Sequence, residues 1–143
     1  MTADRDIELR LAACDARYTQ GRRTVVAALR DSDGPKSAAE LHDRLGADVP
    51  LSSLYRSLAV LEAAGVVIPH LGTKGLTRYE LAEWLTGHHH HLVCVDCGSV
   101  DDISVPQSHE RQVLALVDEI GALASFRATS HVLEIEGRCA RCA

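Results

Sequence analysis

Two short cysteine pairs, Cys94-Val95-Asp96-Cys97 and Cys139-Ala140-Arg141-Cys142, limit what this chain can fold into more than any other feature. Four thiolates in two Cys-x-x-Cys knuckles make a closed tetrahedral set, the arrangement zinc takes when its role is structural. The alternative is two redox pairs. One knuckle stands just before an expected helix and the other at the very C-terminus, so a shared ion would tie the end of the chain to its middle. The start MTADRDIELR lacks the apolar stretch of a signal peptide, and no apolar run approaches the roughly 18 residues of a membrane span. A cytoplasmic protein with no membrane partner is therefore expected, and in a reducing compartment a metal explains paired cysteines better than disulfides. The fifth cysteine, Cys14, shares a helical apolar face with Ile7 and Leu11 and reads as a buried core thiol.

A chain of 143 residues with 46% hydrophobic content can form one domain or two small ones. Its aromatics are Trp84, Phe126, Tyr18, Tyr55 and Tyr79, so the cores must rest on Leu, Val, Ile and Ala. Small cores of that kind often need a staple. A net charge of -5 argues against a protein that coats nucleic acid through bulk charge. A local basic face stays open, because eleven of the fifteen Lys and Arg residues precede Trp84.

The first half reads as helices followed by a hairpin. Ile7 to Leu45 contains three successive helices, with Asp31-Ser32-Asp33-Gly34-Pro35 ending the second and the capping-box pattern Ser37-Ala38-Ala39-Glu40 opening the third. A fourth runs from Ser52 to Ala64 and is stopped by Gly65. Leu54, Leu58 and Leu61 share one face of it; Ser52, Tyr55, Arg56 and Ala59 fall on the opposite face, a candidate reading surface. Val66 to Leu71 and Thr77 to Leu81 are strand-like runs joined by Gly72-Thr73-Lys74-Gly75, which has hairpin-turn chemistry. Helices followed by such a hairpin predict a winged helix. Residues 1-83 are assigned to it, residues 84-87 to a hinge within the polar stretch Ala82 to Gly87, and residues 88-143 to a second domain. There the expected elements are a strand at Leu92-Val93-Cys94, another around Val100 to Ile103, a helix from about Ser108 to Ile120, and a final strand from Ser130 to Glu136 that puts His131, Leu133 and Ile135 on one face.

His88-His89-His90-His91 runs directly into Leu92-Val93-Cys94, so it is no appended tag. If the run is extended, His89 and His91 point one way and His88 and His90 the other, and one segment can serve two metal sites. The bland alternative is a solvated polar loop. Further ligands are sought among His70, Glu80, Glu83, His109, Glu110 and His131. Imidazole and carboxylate sites of this kind suit zinc, iron, nickel or manganese.

With these residues in view the sequence resembles the ferric uptake regulator family, including its zinc-sensing branch, from about Ala13 to Cys142. The resemblance is carried by Arg17-Tyr18-Thr19-Gln20-Gly21-Arg22-Arg23, Ser37-Ala38-Ala39-Glu40-Leu41, Ser53-Leu54-Tyr55-Arg56, Arg78-Tyr79-Glu80-Leu81, His88 to Cys94 and the last knuckle. It implies an α+β protein, an N-terminal winged-helix DNA-binding domain followed by a small α/β dimerisation domain with structural zinc. It further implies a homodimer that binds palindromic double-stranded DNA operators of metal-uptake genes and represses them, with iron or zinc as corepressor. Tyr55 and Arg56 match base-contacting residues and Arg17 matches a basic residue that reaches the minor groove; Tyr18, Thr19, Arg22, Arg23, Ser52 and Ser53 complete the expected DNA contacts. Glu80, His89 and His91 match the sensing site, with His70 and Glu83 as further candidates. His88, His90 and His131 match a second site, whose acidic ligand is Glu110, or His109 if the alignment shifts by one.

Two positions depart from the family pattern. The hinge cysteine usual in zinc-type members is absent, its nearest ungapped position holding Glu83, and the histidine that some iron-type members place before the third helix is replaced near Pro35 and Lys36. The thiolate-free sensing set points to iron, whereas Cys94 to Pro106 looks more like the zinc sensors. An aspartate expected of peroxide sensors is missing at Glu80 and Glu83. Competing readings are a zinc-dependent hydrolase using Glu83 or Glu110 as general base, against which stands the lack of a helical His-Glu-x-x-His motif, and a constitutive zinc-ribbon interaction module, which leaves the histidines and the wing unexplained.

Overall fold

The computed structural model describes residues 2-72 and 75-143. Helix α1 (Thr2–Ala12) packs Ile7 and Leu11 inward, and α2 (Gln20–Arg30) does the same with Val25, Val26, Ala28 and Leu29. The start of α2 is set by Thr19, whose side chain accepts the Arg22 amide. Strand β1 (Lys36–Ser37) leads into α3 (Ala38–Leu45), where Ser37 and Glu40 form the reciprocal capping box that the sequence pattern predicts. A 3-10 turn at Gly46–Asp48 precedes α4 (Leu51–Ala63), which buries Leu54, Leu58 and Leu61. Its end needs Gly65, whose φ of 70° lies in the left-handed region.

Strands β2 (Val67–Leu71) and β3 (Thr77–Leu81) pair antiparallel, Val67 opposite Leu81 and Leu71 opposite Thr77. The two-residue β1 adds to the far side of β3, giving the order β1-β3-β2. Sequence alternation cannot reveal a strand this short. The turn residues Thr73 and Lys74 lie outside the described residues, and Gly72 and Gly75 flank them. Four helices and this small sheet enclose one aliphatic core, from Ile7 to Leu81, with Tyr18, Tyr79 and Leu85 packed on its margin. This is a winged helix.

The expected hinge is a helical turn, α5 (Glu83–Thr86), closed by Gly87 at φ 86°. Trp84 on this turn donates its indole N–H to the Gly65 carbonyl at 2.9 Å, and the Arg10 guanidinium stacks 4.1 Å from its ring centroid. The turn is thus fastened to the winged helix rather than free.

A second sheet follows, with β4 (His90–Cys94) between β5 (Val100–Ile103) on its antiparallel side and β6 (Glu134–Gly137) on its parallel side. Helix α6 (Gln107–Leu123) is longer than expected at both ends, and Gly121 is its buried residue. Leu114, Leu116, Ile120 and Leu123 are exposed on it, as are Phe126, Val132 and Ile135 beyond it. The final strand is shorter than the alternation predicts: His131 and Leu133 precede it. Among the described residues no helix is long and apolar enough to cross a membrane.

Cys14 is not the core thiol expected. Helix α1 ends at Ala12, Asp15 turns the chain at φ 56°, and the thiol is exposed, 3.8 Å from the Ala63 carbonyl. The helical period that placed it inside had already stopped.

Candidate metal centres

The knuckles meet because β6 runs parallel beside β4. Leu92 lies opposite Ile135 and Cys94 opposite Gly137, and the Val95 amide donates to the Gly137 carbonyl at 2.8 Å. The Sγ atoms of Cys94, Cys97, Cys139 and Cys142 consequently all lie within 4.8 Å of one another. Cys94 is buried and receives the amides of Cys97 at 3.5 Å and Cys139 at 3.4 Å. These backbone donors hold its pKa down at about 6. Hydrogen bonding to Cys139 and burial push Cys142 the other way, up to about 12.

The histidine run divides as alternation requires. His89 and His91 face Glu80 on β3: His89 Nε2 is 2.9 Å from Oε2, and His91 Nε2 is 3.1 Å from Oε1. Asp102 on β5, opposite His91 in the strand register, completes this set at 3.6 Å from His89 and 3.4 Å from His91. His70 on β2 reaches the same carboxylate, its Nε2 2.6 Å from Glu80 Oε1, and also forms a group with His91 and Glu134. The cluster thus draws Glu80 and His70 from the wing, His91 and Asp102 from the second sheet, and His89 from the segment just before β4.

His88 and His90 turn to the opposite side. His88, His90, Glu110 and His131 gather there, with His88 Nε2 and His131 Nε2 each 3.0 Å from Glu110 Oε1 and His90 Nε2 2.7 Å from Oε2. Glu110 Oε1 is buried without a properly formed hydrogen bond, and two imidazole nitrogens face each other across 3.2 Å. Converging lone pairs around an orphaned carboxylate oxygen suit a cation better than a proton network.

Three candidate ligands are sorted by this geometry. Glu110 joins the second set, whereas His109 is exposed and outside it. Glu83 is a partner of His88 at 2.9 Å rather than of His89 and His91, because the helical turn α5 carries it round to that side. Asp102 was missed by the sequence reading. The signal was the acidic doublet Asp101-Asp102 inside a short strand, where one of the two had to face the histidines.

Burial opposes ionisation of Glu80, but hydrogen bonds from His70, His91 and His89 outweigh it and hold its carboxyl well below the usual range. Burial likewise disfavours charged His91, yet hydrogen bonds to Asp102 and Glu80 keep its pKa up at about 9. The signs fix a pH dependence for the protein without added metal. The His91 contribution is complete below the unfolded pKa of 6.5 and is lost as pH rises through about 9. The Glu80 contribution is present above its unfolded value of 4.5 and is lost in acid. The melting-temperature gap between wild type and His91→Asn should therefore shrink from pH 6.5 to about 9. Calorimetry across that range checks this, and a constant gap contradicts it.

Away from its buried leucines α4 presents a polar face. Tyr55 is 52% exposed, Ser52 and Arg56 are exposed, and Arg56 Nη2 rests 3.3 Å from the hydroxyl of half-buried Ser53. The residues before α2 are more occupied. Arg23 bonds Glu8 at 2.5 Å and lies 4.1 Å above the half-buried Tyr18 ring, while exposed Arg17 accepts Arg22 through its carbonyl at 2.6 Å.

Comparison with known proteins places the chain among described relatives. The family model described as the ferric uptake regulator family matches residues 13–136. The chain is 34% identical over 128 residues to the ferric uptake regulation protein of Escherichia coli strain K12, covering 87% of this chain and 82% of that one. Its fold matches the crystal structure of the Vibrio cholerae ferric uptake regulator with a TM-score of 0.69, at 32% identity over 90% of this chain and 96% of the other. It also matches the Helicobacter pylori ferric uptake regulator, described as having three functional metal binding sites, with a TM-score of 0.73 at 26% identity over 94% and 87% of the two chains.

Proposed function

As the chain belongs to the ferric uptake regulator family, we propose that it is a cytoplasmic, metal-dependent repressor that binds palindromic operators of metal-uptake genes as a homodimer. The family's members are transcription regulators and not enzymes. The observation that carries this reading is the hinge cluster, whose ligands come from both sides of α5. A cation can shift an open–closed equilibrium only by its different affinity for the two states, and ligands split across a hinge supply that difference.

In this reading residues 1-83 bind DNA, residues 84-87 are the hinge, and residues 88-143 dimerise and bind metal. Cys94, Cys97, Cys139 and Cys142 hold a structural zinc. Glu80, His89, His91 and Asp102, with His70 beside them, form the sensing site, where a divalent iron or zinc ion supplies the charge that holds the two sides together. His88, His90, Glu110 and His131 form a second regulatory site, and because all four lie beyond the hinge it tunes sensitivity more than it switches the hinge. Leu116, Ile120 and Leu123 share one side of α6 and are exposed, as are Phe126, Val132 and Ile135, and this apolar surface is the one a second copy covers.

Tyr55 and Arg56 enter the major groove, while Arg17, Arg22 and Arg23 engage phosphates or the minor groove. A bidentate arginine on guanine contributes roughly 1–3 kcal/mol of base discrimination. Arg56→Ala is accordingly expected to flatten preference between matched and mismatched sites by about tenfold or more, read by competition binding. An equal loss on operator and random duplex would remove α4 from the reading role.

The function itself is tested by selection from a randomised duplex pool, with and without added Fe²⁺ or Zn²⁺. A two-fold symmetric sequence should emerge with metal only. Emergence of no sequence, or of the same sequence under chelation, contradicts the proposal.

A further inference from the structure

Two contacts outside the imidazole clusters also join the winged helix to the second sheet. Arg78 on β3 is 7% exposed, and its guanidinium reaches in two directions. Nη1 donates to the Gly98 carbonyl at 2.6 Å, and Nη2 lies 3.2 Å from Glu40 Oε1. Gly98 closes the turn of the first knuckle, its amide donating to the Cys94 carbonyl at 2.9 Å with φ at 75°. Glu40 is the capping-box residue of α3, its other oxygen accepting the Ser37 amide at 2.9 Å, and α3 packs against α4. One buried cation therefore spans from the knuckle turn to the helix that supports the reading helix.

The second contact lies in the loop between α2 and β1. The Asp102 amide, on the edge of β5, donates to the Asp33 carbonyl at 3.2 Å. Gly34 sits so close to the same strand that a Cβ there would stand 2.3 Å from the Val100 carbonyl oxygen. The Asp33 carboxylate turns instead to Lys36 at 3.0 Å, so backbone and not charge makes this seat. A side chain at position 34 would push the loop off the strand.

We propose that Arg78 and the Asp33-Gly34 seat form a latch that pre-docks the winged helix on the second sheet, with Arg78 as the positioning residue. The sensing-site ion then completes the arrangement and does not have to create it. This follows from the energetics of the parts. Arg78 is buried, and its two acceptors belong to different sides of the hinge, so undocking breaks its charge-assisted hydrogen bond to the Gly98 carbonyl. An ion needs less differential affinity to reach a given closed population when part of the bias is built into the chain. Asp102 joins the two devices, offering its carboxylate to the histidines and its amide to the latch.

The inference rests on the metal-switch reading for its effect on DNA, but its direct test does not. The full-length dimer, with its tetrathiolate metal, is compared as wild type, Arg78→Met and Gly34→Val by hydrogen exchange of the Asp102 amide and by metal content. Both variants should keep the tetrathiolate ion while the Asp102 amide exchanges about tenfold faster, the change for loss of one hydrogen bond. Arg78→Met does not touch that amide, so faster exchange there reports undocking. Should Arg78→Met lose the winged-helix signature in circular dichroism, Gly34→Val, whose added Cβ meets the backbone of β5, decides alone. The metal concentration for half-maximal operator binding should rise by a similar factor in both. Wild-type protection of Asp102 in Gly34→Val overturns the latch; a normal latch in a protein whose DNA binding ignores metal overturns the function reading and leaves the latch standing.

Discussion

Replacing Cys142 by serine is expected to release the tetrathiolate ion and, with it, the order of the second sheet and the dimer. The reason is where the apolar burial lies. The aliphatic core extends from Ile7 to Leu81 and belongs to the winged helix, whereas Val93, Cys94 and Val100 are the buried hydrophobics beyond the hinge. Strand β6 is fixed to β4 within three residues of the second knuckle, and its own residues are exposed. Metal binding in small zinc modules is on the order of 10 kcal/mol and is largely folding free energy. That is as large as the whole stability of a typical domain, about 5–15 kcal/mol. Metal analysis and sedimentation of Cys142→Ser should show the loss of one ion per chain and a shift to monomer. A variant that keeps both at wild-type level removes the staple from the account.

His89→Ala is expected to have the opposite profile, with the tetrathiolate ion and dimer retained and the metal response lost. His89 lies in the set that spans α5, and it touches no cysteine of the knuckles. Even outer-shell partners of a metal site cost 10–100-fold in affinity when removed, so loss of a direct ligand should raise the metal requirement by at least about 100-fold. Moving a hinge from nearly all open to nearly all closed takes about 5.5 kcal/mol of differential binding, which a site short of one imidazole cannot reach at the same metal concentration. Isothermal titration with Zn²⁺ or Fe²⁺ measures the lost site directly. A His89→Ala protein that binds metal and responds to it as wild type does contradicts the assignment of the sensing site.

Much of this was legible in the chain because the signals are local. The capping box at Ser37 and Glu40, the glycine stop at Gly65 and the opposite faces of α4 each depend on residues within a few positions. The two-sided histidine run needs only an extended backbone leading into β4, and the pairing of the knuckles needs only the chemistry of thiolates. What was missed depends on contacts between distant segments. Asp102 enters the sensing cluster through the register of β4 and β5, β1 exists because Lys36 and Ser37 happen to flank β3, and the tight seat of Gly34 on β5 has no local pattern at all. Errors of the other kind came from extending a period too far. Cys14 was placed on a helix that stops at Ala12, and His131 on a strand that starts at Glu134.

The central claim is that an ion in the hinge cluster controls DNA binding. Fluorescence anisotropy of the selected duplex, titrated with protein that carries only its tetrathiolate ion, tests it as free Fe²⁺ or Zn²⁺ is raised. The account predicts weak, salt-sensitive binding at first and a saturable rise in affinity as the hinge site fills. Equal affinity for the duplex across the whole metal range, with the tetrathiolate ion in place throughout, would contradict it.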